Sequence, residues 1–236
     1  MNEAYNMDCM EYMKTIPDKY FDLAVVDPPY GGAGDPNFER GVDSVNALTG
    51  ISPSKEIKAY RTGGAWASKY GKAIIDWDIA PTQDYFNELF RVSKEQIIWG
   101  GNYFTLPPTR CFLVWRKLTI SETFTMAMAE YAWTSFNDNA KVIEIAPQGK
   151  KDDKRFHPTQ KPVELYDWIF EHYADKGFKI FDSHLGSGSS RISAWKHNLD
   201  FVGTEIDKRY FDLQEERFKR ETAQATWQQW DKDFLG

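Results

Sequence analysis

The chain has 236 residues, 42% hydrophobic and 27% charged, with a formal net charge of −6. That length and balance suit one globular domain with a real core. No apolar run approaches the ~18 residues that a membrane span needs, and two cysteines are too few for a disulfide framework or a zinc site of repeated cysteines.

The acidic total speaks against a protein that coats nucleic acid. It allows one with a local basic surface, because phosphate attraction acts over ~8–10 Å. The first residues, Met1-Asn2-Glu3 and then Asp8, lack the basic and apolar regions of a signal peptide, so a reducing cytoplasmic setting is the expectation. Aromatic residues are abundant at 16%. Most of these rings belong in a core, but the supply also suits stacking on a base.

Ala4 to Met10 opens the chain as a short extended segment, and Glu11 to Lys14 reads as a short helix. Asp8 falls at their junction, where by itself it reads as a helix N-cap. Leu23 to Val26 is a continuous apolar run that stops at Asp27-Pro28-Pro29-Tyr30. Such a run is a buried strand. Each proline fixes its own φ and pushes the residue before it away from helix, so Asp27 and Pro28 are held extended. A carboxylate, backbone carbonyls and an aromatic ring are thus presented at a strand's carboxyl end, where open α/β sheets place ligands. The loop suits a planar amine, with acceptors for its N–H groups and a ring for its face.

Residues 31–72 are rich in glycine and have no sustained period. Arg40, Lys55, Lys58, Arg61, Lys69 and Lys72 alternate there with acids and with Tyr60, Trp66 and Tyr70. A segment of this length directly after the Asp27 loop reads as a lid or substrate-gripping insertion. A helix is predicted over 82–92, where Tyr85, Phe86, Leu89 and Phe90 share a face. Strands are predicted over 96–99, 111–115, 130–136 and 141–145; their close succession suggests an antiparallel edge on a parallel sheet.

Residues 148–161 form a polar, basic loop that contains Phe156-His157-Pro158-Thr159-Gln160-Lys161-Pro162. It leads into a helix over 163–173, with Pro162 in the first turn. A β-α-β-α unit follows: a strand over 178–182, a glycine-rich turn, a helix through Arg191 and Trp195, a strand over 201–205 and a helix from Tyr210 to about Thr222. The stretch Trp227 to Phe234 suits a packed tail or a contact surface equally.

Gly186-Ser187-Gly188 lets backbone approach a ligand, and the helix behind it offers free N–H groups. Glu205 ends the next strand, ~20 residues on, where an acid usually bonds ribose hydroxyls. The combination indicates a nucleoside-containing cofactor. Two details disfavour a dinucleotide: Arg191 stands where the third glycine of Gly-x-Gly-x-x-Gly would be, and Asp182 would repel a pyrophosphate. An acid there suits an α-amino group. S-adenosylmethionine carries an amino group, a ribose and an adenine without phosphate, so it is the expected cofactor, and no metal is expected.

Asp27-Pro28-Pro29-Tyr30, then His157-Pro158-Thr159-Gln160-Lys161-Pro162, then Phe181-Asp182 with Gly186-Ser187-Gly188-Ser189, in this order, resemble the amino-methylating DNA methyltransferases of the β group. The resemblance spans nearly the whole chain except 31–72. It implies an α/β fold: one doubly wound, mostly parallel Rossmann-like sheet of the S-adenosylmethionine-dependent methyltransferase type, with an antiparallel edge. The sheet would be circularly permuted, with the third strand's region (Met7-Asp8) starting the chain and the first two strands ending it. Residues 1–236 would form a single methyltransferase domain, with 31–72 and 148–161 as its DNA-contacting parts.

The resemblance also implies roles. Asp27 would accept a hydrogen bond from the target base's exocyclic amine, helped by the Pro28 carbonyl ahead of Pro29, with Tyr30 stacked on the base. Asp182 would hold the methionine amino group, Glu205 the ribose and Asp8 the adenine amino group. Thr159 and Lys161 would sit near the methionine carboxylate, and Gly186, Ser187 and Gly188 would form the close-approach turn. The partner would be double-stranded DNA, with room for a homodimer. Asp27 in place of serine leans toward adenine N6 over cytosine N4. The rivals are a cytosine-N4 enzyme, an enzyme acting on RNA, a catalytically silent S-adenosylmethionine or DNA-binding module, and a nicotinamide-type enzyme. Members commonly carry Asp-Pro-Phe where this chain has Asp182-Ser183-His184, which makes His184 a polar substitute for an apolar cofactor wall.

Overall fold

The computed structural model describes residues 1–30, 79–122, 127–149 and 154–235. The insertion expected over 31–72, and residues 150–153 of the basic loop, lie outside the described residues.

The central strand β2 (Phe21–Val26) is buried almost throughout, because apolar side chains leave it on both faces. Leu23 and Val25 enter one core cluster, and Ala24 and Val26 enter the other. The period of two along a strand sends alternate residues to opposite faces, so a sheet covered on both sides needs this unbroken apolar run. On one side lie α1 (Cys9–Lys14) and α2 (Gln83–Val92), which contribute Met13, Tyr85, Phe86, Leu89 and Val92. On the other lie α3 (Val163–Tyr173) and α4 (Ser189–Lys196), which contribute Leu165, Tyr166, Ile169, Phe170 and Ala194.

The remaining strands are β1 (Asn2–Tyr5), β3 (Ser93–Trp99), β4 (Phe112–Lys117), β5 (Ala129–Thr134), β6 (Lys141–Ile145), β7 (Lys179–Asp182) and β8 (Asp200–Thr204). The eight strands of the described residues form one sheet in the order β1-β8-β7-β2-β3-β5-β4-β6. The pairs β1–β8, β8–β7, β7–β2, β2–β3 and β4–β6 are parallel, and β5 is antiparallel to both β3 and β4. The chain's first strand therefore sits beside its last, as the permuted order requires. The expected antiparallel edge takes a different form. Among the described strands only β5 is reversed, third from the edge, because the chain turns back after β4 and lays β5 between β3 and β4, and the edge strand β6 runs parallel to β4.

The last helix, α5 (Lys208–Leu235), runs past the predicted end near Thr222 and takes in the stretch read as a tail. Asp207 caps its start by accepting from the Arg209 and Tyr210 N–H groups at 2.8 and 3.1 Å. Among the described residues no helix is long and apolar enough to cross a membrane.

Candidate active site

The strand order reverses direction of growth between β7 and β2, so their carboxyl ends flank the crevice where doubly wound sheets bind ligands. Leu23 lies opposite Ile180 and Ala24 opposite Phe181. Asp182, the last residue of β7, and Asp27, the first after β2, are thereby brought to the same edge.

Asp27 is held from both sides. Its Oδ1 accepts the Tyr30 hydroxyl at 2.8 Å, and its Oδ2 is ion-paired with the Lys161 ammonium. Lys161 is 4% exposed, and its ammonium lies 3.3 Å from Glu130 Oε2 and 5.3 Å from the centre of the Trp99 ring. Glu130 Oε1 in turn pairs with Lys117 at 2.5 Å. Charges alternate along Asp27, Lys161, Glu130 and Lys117, which is what lets four ionisable groups share a mostly dry site. Burial raises the Asp27 pKa, while Lys161 opposes the shift. Burial also works to raise Glu130, but Lys161 and Lys117 hold it below its ordinary value.

The Tyr30 ring stacks on Tyr103 with centroids 4.8 Å apart and planes at 20°, and meets Phe104 edge-on at 6.2 Å. Tyr103 is 57% exposed. An aromatic platform therefore stands beside Asp27, with one ring open to solvent.

The second half of the crevice is the turn after β7. Gly186 and Gly188 have φ of +52° and +75°, the left-handed region that side chains resist. A side chain at Gly186 would also press on the His157 ring, 3.3 Å from its Cε1. Asp182 is buried; its Oδ1 accepts the His184 N–H at 3.1 Å and its Oδ2 the Ser190 hydroxyl at 2.6 Å. Burial pushes its pKa up to about 7. Glu205 Oε2 accepts the Gly186 N–H at 2.8 Å and Oε1 the Asp207 N–H at 2.9 Å. Burial raises the Glu205 pKa as well.

A carboxylate oxygen has two lone-pair directions, so Asp182 and Glu205 keep acceptor capacity after these bonds. A buried acid at a strand end, a turn with two left-handed glycines and a second acid just after the next strand fit an amino group and a ribose diol.

The loop from Phe156 to Pro162 is fastened onto this turn. The Lys161 carbonyl accepts the Ser189 hydroxyl at 2.7 Å, and His157 packs edge-on against Tyr210 at 4.3 Å. Burial lowers the His157 pKa to about 3, so the ring is neutral there. Thr159 is exposed, with its N–H and hydroxyl 3.3 and 3.2 Å from His157 Nδ1. Arg155 of the same loop donates to the Gln160 carbonyl at 2.5 Å.

Asp8 caps α1, its Oδ1 accepting from Met10 and Glu11 at 2.7 and 3.1 Å. Ser187 packs inside the turn, where its hydroxyl lies 3.2 Å from that of Ser189. The resemblance sets Lys161 beside the methionine carboxylate, but the structure carries its ammonium to Asp27 and Glu130. The long side chain runs toward the two acids that can balance its charge.

Several participants carried no signal in the sequence. Glu130 and Lys117 come from separate strands. Arg217, from α5, donates to the Ser187 carbonyl at 2.8 Å and to the Ser189 hydroxyl at 2.9 Å, which props the glycine turn from behind. Tyr85 bonds Ser183 Oγ at 2.6 Å, and Ser183 Oγ lies 2.8 Å from His184 Nδ1. His184 meets the Tyr85 ring edge-on at 5.4 Å. The Tyr85 and His184 rings thus pack together next to Asp182, where the family's apolar residue would stand.

Residues 114–216 match the family model described as DNA methylase. The type II methyltransferase M2.MboI of Moraxella bovis is 21% identical over 249 residues, covering 91% of this chain and 86% of that protein. Among solved structures, PvuII DNA methyltransferase (cytosine-N4-specific) superposes with a TM-score of 0.57 at 11% identity, covering 94% of this chain and 91% of that one. The M1.HpyAVI–SAM complex gives 0.53 at 17% identity, covering 92% and 98%. The family-model match and these relatives support a place among the DNA methyltransferases that methylate adenine N6 or cytosine N4, a family that uses S-adenosylmethionine.

Proposed function

We propose that this chain transfers a methyl group from S-adenosylmethionine to the exocyclic N6 amine of an adenine flipped out of double-stranded DNA. The observation that carries the reading is the adjacency of Asp27 and Asp182 at the ends of neighbouring strands. One acid would hold an amine nucleophile and the other the amino group of the methyl donor.

An aromatic amine is a poor nucleophile because its lone pair is delocalised into the ring. Asp27 and the Pro28 carbonyl would accept its two N–H groups and favour the pyramidal form that can attack. The bound cofactor supplies an electrophilic methyl group on a sulfonium. Asp182 would orient its amino group, Glu205 its ribose, and Tyr85 with His184 would wall the pocket. Tyr30 and Tyr103 offer ring faces to the extruded base, whose extrusion is required because a stacked amine cannot reach the loop. Asp27 in place of serine supports adenine over cytosine.

The test is methyl transfer to defined DNA followed by nucleoside analysis, with N6-methyladenine expected. Finding only N4-methylcytosine would overturn the adenine assignment. Asp27→Ala is expected to keep cofactor binding and to lose turnover by about 10²–10⁴-fold; unchanged turnover would remove Asp27 from the chemistry.

A further inference from the structure

We infer that Lys161 is a positioning residue for Asp27: its buried ammonium takes Oδ2 as a permanent counter-ion and leaves Oδ1 to meet the target amine. The inference deepens the amine-methylation reading and rests on it. The geometry separates the two oxygens. Oδ2 faces an ammonium that is itself pinned by Glu130 at 3.3 Å and by the Trp99 ring face. Among the described residues, Oδ1 accepts only a neutral phenol, from Tyr30. A charge-assisted bond is roughly twice as strong as a neutral one, so the phenol bond is the one that yields to an incoming N–H.

A protonated Asp27 would lose acceptor capacity and could not favour a pyramidal amine. Burial drives Asp27 toward that state, and Glu130 adds to the drive. Among the described residues, the other charged or titratable groups around it are Tyr30, Asp182, Tyr85 and Tyr166, with Lys117 behind Glu130. Within this set Lys161 is the cation in direct contact with the carboxylate. Glu130 competes with Asp27 for it, so the two neighbours act in opposite directions on Asp27.

The experiment is a carbon-13 titration of the Asp27 carboxyl in the full chain with S-adenosylmethionine bound, alongside cofactor affinity and the pH profile of methyl transfer. Lys161→Met should raise the Asp27 midpoint by about one pH unit or more, the size of effect an adjacent cation has on an acid. Glu130→Gln should lower it. The acid limb of methyl transfer should follow the midpoint in both, with cofactor affinity unchanged. If Lys161→Met does not fold, the downward shift in Glu130→Gln supports the assignment by itself, and an unmoved or raised midpoint there overturns it. Weakened cofactor binding by Lys161→Met with an unmoved midpoint also overturns it, and returns Lys161 to the methionine carboxylate. The midpoint is read without turnover. A chain that methylates no DNA, yet shows both shifts, would refute the proposed reaction while leaving the pairing intact.

Discussion

Gly100 lies so close to Tyr30 that a Cβ added to it would stand 2.1 Å from the ring's Cε1. Its φ of +68° turns the chain at the end of β3; its N–H donates to the Tyr131 carbonyl at 2.8 Å, and its own carbonyl accepts the Tyr103 N–H at 2.8 Å. One residue thus sets the space for Tyr30 and places Tyr103 against the same ring. Gly100→Ala should displace Tyr30 and cost roughly 1 kcal/mol of backbone strain. Because a misplacement of ~1 Å can cost ~10²-fold, methyl transfer should fall by that order while cofactor affinity holds. Wild-type transfer rates in a folded Gly100→Ala protein would show that Tyr30 need not be held there.

Asp182 makes cofactor binding depend on pH. Its carboxyl is pushed up to about 7 by burial, so below that value the free protein carries a neutral acid where the donor's ammonium must dock. Affinity for S-adenosylmethionine should therefore rise with pH through the region near 7. In the cofactor-free protein the sign for stability is opposite. The folded state holds a proton that the unfolded chain releases above 3.8, so this group's contribution declines as pH rises from there toward 7. Asp182→Asn should weaken binding and flatten its pH dependence in calorimetric titrations. An affinity that keeps the wild-type pH slope would remove Asp182 from the amino-group role.

His184 gives a dependence of the other sign. Burial lowers its pKa from 6.5 to about 4, so unfolding takes up a proton between those values and stability is lost as pH falls through that window. His184→Phe should reduce the loss of melting temperature below pH 6.5 and preserve cofactor affinity, since Tyr85 keeps its bond to Ser183. Weaker binding at neutral pH would mean that the imidazole itself contacts the cofactor.

The sequence alone determined the parts that rest on neighbours in the chain. An apolar run ended by Asp27-Pro28-Pro29 reads as a buried strand leading into an extended loop, and β2 falls there. Two glycines between a strand and a helix announce a turn that backbone must approach closely, and the helix over Val163–Tyr173 and the strand over Lys141–Ile145 fall where their periods place them. The permuted sheet came from the resemblance to the β group, whose motif order these residues share. Local pattern does not constrain which distant side chains share a charge. Lys161 meets Asp27 across 134 positions, and Glu130 and Lys117 join them from strands placed there by the sheet order. The reversal of β5 inside the sheet, the Arg217 prop behind the glycine turn and the Gly100 space for Tyr30 belong to the same class. Each depends on register and through-space distance, and a Coulomb or packing interaction has no period along the chain by which it could be read.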